Sequence, residues 1–79
     1  MKILIRNLDR ETTEEELNTL FASYGVVSEC TLVLDQNTGG SKGFGFVEMA
    51  NEPEANKAIK SLNQSVLGAN RIRVKEAGK

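Results

Sequence analysis

The order of its apolar patterns constrains the fold of this chain more than any other feature. Over 2–6, 26–35, 43–49 and 71–75, every second residue tends to be apolar, which predicts four strands with at least one apolar face each. Between them, 12–25 and 51–62 place apolar residues three or four positions apart, which predicts two helices. A β-α-β-β-α-β order is typical of an α+β, ferredoxin-like split sandwich, in which two helices cover one face of a four-stranded antiparallel sheet.

Both predicted helices carry residue types that favour their ends. Thr13 and Glu16 match a capping box at the start of the first helix. Gly25 is expected to end that helix in the left-handed conformation. Asn51 is expected to cap the second helix, because Pro53 fits only within a first turn.

Turn residues over 36–41 join the second and third strands as a hairpin, and 63–70 is expected to be a connector with turn residues. We find no linker and no low-complexity run, so residues 1–79 are predicted to form a single domain. The helix-facing core is expected to contain apolar side chains of all four strands: Ile3, Ile5, Val27, Cys30, Leu32, Val47, Met49, Ile72 and Val74.

Composition argues against several classes of function. The chain has no histidine, and its one cysteine, Cys30, has neither a neighbouring base nor metal-ligand spacing, so we expect no enzyme, no metal and no cofactor. A lone cysteine also favours a reducing compartment, which predicts a cytoplasmic protein, or a nuclear one in a eukaryote. Without a long apolar run or a signal peptide, no membrane partner is expected.

The segment KGFGFVEM, residues 42–49, has apolar side chains on both of its predicted faces. Phenylalanines on strands usually belong to a core. Here the two helices cover only one face, and the four residues EAGK after the last strand are too short to cover the other. Phe44 and Phe46, together with Leu4, are therefore expected on the open face, where an apolar patch usually marks a binding surface.

The formal net charge of −1 does not by itself indicate a polyanionic partner. Alternation nevertheless places several cations on the same face as the phenylalanines: Lys2, Arg6, Lys42, Arg71, Arg73 and Lys75. The acidic residues are expected to cluster around the helix starts, with Glu48 as the exception on the open face. There Glu48 would either accept a hydrogen bond from a bound partner or repel an anion.

Residues 42–49 resemble the octamer of the RNA-recognition motif family, K/R-G-F/Y-G/A-F-V-x-F/Y. Seven positions agree, counting the free one, and only the last, Met49, departs. The segment ILIRNL, residues 3–8, is similar to the family's hexamer, with aliphatic Leu4 in place of an aromatic residue. The resemblance extends over nearly the whole chain.

The resemblance implies a module that binds single-stranded RNA, and single-stranded DNA in vitro, without a small-molecule substrate. Phe44 and Phe46 would stack on bases, Lys42 would contact a phosphate, and Leu4 would offer a flat apolar contact. Met49 would face the helices and alter packing alone. For Arg71, at the expected edge of the sheet, a solvent-exposed role without RNA contact is as well supported.

A different class of function stays open. The resemblance also implies that such a module can bind protein, because some members of the family do so through the sheet or the helical face. Phe44 and Phe46 would then anchor a partner or a second copy. The aliphatic Leu4 favours this alternative. The cations around the pair oppose it, because unpaired charges are unfavourable to bury.

Overall fold

The computed structural model describes residues 1–77, so residues 78 and 79 of the predicted domain lie outside the described range. The predicted order of helices and main strands is confirmed. The elements are β1 (Lys2–Arg6), α1 (Glu14–Ala22), β2 (Val27–Leu34), β3 (Ser41–Met49), α2 (Glu52–Leu62), β4 (Val66–Leu67), β5 (Asn70–Arg71) and β6 (Arg73–Glu76). The antiparallel main sheet has the order β2-β3-β1-β6, which places β1 and β3 at its centre.

The segment predicted as one final strand, 71–75, is divided in the structure. Arg71 lies in a separate two-stranded ribbon opposite Val66, and the strand of the main sheet begins only at Arg73. Gly68, with φ of 66°, adopts the left-handed conformation in the tight turn between β4 and β5. The connector predicted over 63–70 therefore contains a short ribbon that the sequence did not predict, because strands of two residues are too short to show alternation.

The start of α1 is as predicted, but its end is not. The Glu16 backbone N–H donates to the Thr13 hydroxyl at 3.1 Å, and the Thr13 N–H donates to the Glu16 carboxylate at 3.0 Å. The helix ends at Ala22 with Ser23 as its cap, and Gly25 is not in the left-handed conformation. A β-carbon at Gly25 would instead collide with the side chain of Glu54, so this glycine is required by close packing.

The second helix begins as its sequence predicts. Asn51 caps α2 by accepting the backbone N–H of Glu54 on its side-chain oxygen at 2.9 Å, and Pro53 lies in the first turn. None of the helices that the structure describes is long and apolar enough to cross a membrane.

The core lies between the helices and one face of the sheet. Six of the nine predicted core side chains are buried, and the other three, Val27, Cys30 and Leu32, are only partly buried. All three belong to β2, which is an edge strand and is covered on fewer sides than the central strands. Leu8, just after β1, is 2% exposed and was not predicted as core.

Asp9 ties the loop after β1 to the β4–β5 ribbon. Its carboxylate accepts the backbone N–H of Glu11 at 2.9 Å and that of Ala69 at 3.0 Å. These two bonds hold the pKa of Asp9 below its usual value of 3.8, and the bond from Glu11 has the larger effect. A depressed folded-state pKa contributes stability that is present above the unfolded pKa and is lost as the pH falls through the folded one.

We therefore expect Asp9→Asn to lower the melting temperature at pH 7. The difference in melting temperature between the variant and the wild type should shrink once the pH falls well below about 3.9. Thermal melting followed by circular dichroism at pH 7 and at low pH measures both. Glu76→Gln, at an exposed residue at the end of β6, is the matched control and should change neither the melting temperature nor its dependence on pH appreciably. A gap that is the same at both pH values would contradict the assigned role of the ionised carboxylate.

Candidate nucleic-acid interface

The face of the sheet opposite the helices carries both phenylalanines of β3. Phe44 and Phe46 are half-buried, while Val47, which points the other way, is fully buried. Their ring centroids are 6.3 Å apart with an interplanar angle of 86°, an edge-to-face pair. Leu4 of β1 is the cross-strand partner of Phe46 and is also half-buried. Alternation along two central strands thus produces an apolar platform, which we define as Leu4, Phe44 and Phe46.

Lys2 lies against one ring of this platform. Its ammonium nitrogen is 4.8 Å from the centroid of the Phe46 ring, a cation–π contact. Such contacts contribute about 0.5–1 kcal/mol at exposed sites, whereas a stacked base contributes about 1–3 kcal/mol. A base can therefore displace the ammonium from the ring.

The end of the open face away from Lys2 is basic. Arg6 of β1 and Arg73 of β6 are cross-strand partners, and both are exposed. Like charges directly opposite each other are unfavourable, so an anion between these two guanidinium groups would stabilise the pair. Both side chains line a groove that also includes Asn7 and Lys75. Lys75 is the cross-strand partner of Leu4, which places it beside the platform.

Lys42 is exposed at the start of β3, next to the hairpin turn. In that turn the Asp35 carboxylate accepts the backbone N–H groups of Asn37 and Thr38 at 2.7 and 3.2 Å. These two bonds lower the pKa of Asp35, and the charges of Lys42 and Arg10 lower it further. The turn is thus ordered by its own hydrogen bonds, and Lys42 lies within electrostatic reach of it.

Arg71 does not belong to the main sheet, contrary to the predicted strand 71–75. Its guanidinium donates to the backbone carbonyl of Gln64 at 3.0 Å, and its own carbonyl accepts the side-chain amide of Asn7 at 2.7 Å. Asn7 has a φ of 60°, so it turns the chain at the end of β1. Arg71 therefore lies on the ribbon and not on the platform.

The acidic residues are less segregated than the sequence predicted. Glu29 of β2 is the cross-strand partner of Glu48, and Thr31 is that of Phe46, so both lie on the open face. The expectation that Glu48 is the only acidic residue there was wrong. The sequence of β2 already indicated an outward Glu29, because side chains alternate along a strand. If Cys30 and Leu32 face inward, Glu29 and Thr31 must face outward.

Outside this face, the structure offers little reactive chemistry among residues 1–77. No group of three or more histidine, cysteine, aspartate or glutamate side chains in that range could hold a metal ion. Burial raises the pKa of the Cys30 thiol, and the charge of Glu14 raises it further. Both effects disfavour the thiolate, which is the nucleophilic form.

Comparison with known proteins gives a consistent picture. The family model described as RNA recognition motif matches residues 3–73. The chain is 41% identical over 76 residues to Glycine-rich RNA-binding protein 1 of Mycosarcoma maydis, an alignment that covers 96% of this chain and 43% of that protein. The chain spans about half the length of the curated relatives that it matches.

Two solved structures share the fold over the whole chain. The RNA-binding protein PG1 superposes with a TM-score of 0.96 at 39% identity and covers 100% of this chain and 95% of its own. A solved Sxl-lethal protein–RNA complex superposes with a TM-score of 0.93 at 31% identity and covers 99% of this chain and 47% of its own.

Proposed function

Because the chain belongs to the RNA recognition motif family, we propose that residues 1–79 act as one module that binds short single-stranded RNA on the open face of the sheet. The observation that carries the proposal is the half-exposed pair Phe44 and Phe46 on a central strand. Every base has a π-face, so such rings can stack on unpaired nucleotides of any sequence. A platform of this size suits about two to four nucleotides.

Each candidate residue has a distinct proposed role. Phe44 and Phe46 stack on two bases, and Leu4 makes an apolar contact with a third or with a ribose. Lys2 leaves the Phe46 ring when the base arrives and then contacts the RNA beside that base. The remaining proposed contacts are to phosphates, with Arg71 reaching the RNA from the ribbon: Arg6, Lys42, Arg71, Arg73 and Lys75.

Relatives support this proposal. The Mycosarcoma maydis relative is named an RNA-binding protein, and the Sxl-lethal structure is a complex with RNA.

We further infer that the module acts by binding and not by catalysis, since the chain has no histidine and burial raises the pKa of its one thiol, which disfavours the nucleophilic thiolate. A lone thiol also fits a reducing compartment, so a cytoplasmic location, or a nuclear one in a eukaryotic cell, is proposed. Localisation of the tagged protein by microscopy tests this directly.

The decisive alternative is a protein-binding module, and an RNA titration followed by amide chemical shifts separates the two. We expect a single-stranded RNA octamer to shift, saturably, the amides of β1 and β3 around Leu4, Phe44 and Phe46. The amides of α1 and α2 should change little. A DNA octamer of the same sequence should shift the same amides. Shifts confined to the helices, or no shifts at all, would favour protein binding.

A further inference from the structure

The end of the open face opposite the arginines is acidic and adjoins a ring of the platform. One cleft at this end is lined by Lys2, Glu29, Thr31, Phe46 and Glu48. Glu48 follows Phe46 by two residues on the same face, and Glu29 faces Glu48 across the strand pair. Both carboxylates are exposed, so a base stacked on Phe46 would have its edge within their reach.

The charges at the two ends of the open face would also orient such a base. Arg6 and Arg73 lie at one end of the open face, while Glu29 and Glu48 lie at the other. Phosphates are attracted to the first end and repelled from the second. A nucleotide on Phe46 would therefore have its backbone toward the arginines and its base edge toward the carboxylates.

Resting on the RNA-binding function proposed above, we propose that Glu29 and Glu48 select the base that stacks on Phe46, favouring guanine and disfavouring uracil. An ionised carboxylate only accepts hydrogen bonds. The Watson–Crick edge of guanine presents two adjacent donors, N1–H and the 2-amino group, which match the two oxygens of one carboxylate. Uracil presents a single N–H between two carbonyl oxygens, which the carboxylates repel. Adenine and cytosine, with one amino group each, fall between.

The neighbours of the two carboxylates leave them free to accept. Lys2 is the cross-strand partner of Glu48, so its single charge can neutralise only one of the two glutamates. Like charges directly opposite each other destabilise a strand pair, and donors from a bound base would relieve that repulsion. The same repulsion predicts that replacing Glu29 by glutamine raises the melting temperature, whereas Glu48 also faces Lys2 and its replacement should raise it less.

The test uses fluorescence anisotropy with labelled octamers: homouridine, and the same octamer with one central guanosine, adenosine or cytidine. We expect the wild-type protein to bind the guanosine octamer about tenfold more tightly than homouridine. In the double variant E29Q/E48Q this preference should fall to about twofold or less, and homouridine should bind more tightly than it does to wild type. E48Q alone should give a partial loss of the preference, and it provides the readout if the double variant does not fold.

The matched control is E11Q/E15Q, which makes the same change in charge at exposed residues outside the sheet and should keep the wild-type preference. Equal wild-type affinity for all four octamers, or a full guanine preference in E29Q/E48Q, would overturn the selection by these carboxylates while leaving RNA binding intact. Failure of wild type to bind any octamer would overturn the proposed function and this selection with it.

Discussion

Replacing Phe44 and Phe46 together by alanine is expected to abolish measurable RNA binding while leaving the fold intact. Each stacked base contributes about 1–3 kcal/mol, so two lost rings remove about 2–6 kcal/mol, which weakens binding by roughly 30-fold to more than 10,000-fold. The fold should persist because neither ring belongs to the buried core cluster. Fluorescence anisotropy with a labelled RNA octamer measures the first effect, and thermal melting measures the second.

The third phenylalanine supplies the control for stability. Phe21 of α1 is fully buried, so Phe21→Ala should destabilise the fold by about 3–5 kcal/mol. If F44A/F46A were destabilised to a similar extent, the two rings would be part of the core after all. If it remained folded and bound RNA as tightly as wild type, the stacking platform would be wrong.

The second large effect is a gain, because Leu4→Phe should raise RNA affinity about tenfold. Leu4 lies on the open face between Phe46 of β3 and Lys75 of β6, at the position where the platform lacks a third ring. A phenylalanine there offers a flat aromatic surface to one more base, worth about 1–3 kcal/mol. The affinity is measured by fluorescence anisotropy with the same labelled octamer as for F44A/F46A, at the same salt concentration for the variant and the wild type.

Ala22 provides the matched control for this gain. It is an exposed apolar residue at the end of α1, on the side of the sheet opposite the platform. Ala22→Phe adds an aromatic ring to the protein there and should leave RNA affinity unchanged. An unchanged or lower affinity in the Leu4 variant, or an equal gain in the Ala22 variant, would contradict the proposed geometry of stacking.

The architecture was predictable from sequence because its elements are regular and long enough to show their period. Strands of five or more residues alternate visibly, and capping residues such as Thr13 and Asn51 mark helix starts by local hydrogen bonds alone. The two-residue strands around Gly68 carry no such period. The role of Gly25 depends on Glu54, a residue far away in the chain, and no local pattern reveals it.

The candidate site was predictable only in part, for a related reason. Alternation shows which side chains share a face, and it is enough to place Leu4, Phe44 and Phe46 on the same one. Which residues oppose one another depends on strand register, and the pairing of Arg6 with Arg73 joins strands far apart in sequence. The cation–π contact between Lys2 and Phe46 depends likewise on packing between strands.

The most direct test of the central claim is the set of intermolecular nuclear Overhauser effects in the protein saturated with a single-stranded RNA octamer. We expect cross-peaks from the ring protons of Phe44 and Phe46 to base and ribose protons of the RNA. Cross-peaks from side chains of α1 or α2 to the RNA, with none from either ring, would contradict the claim that the open face of the sheet binds RNA.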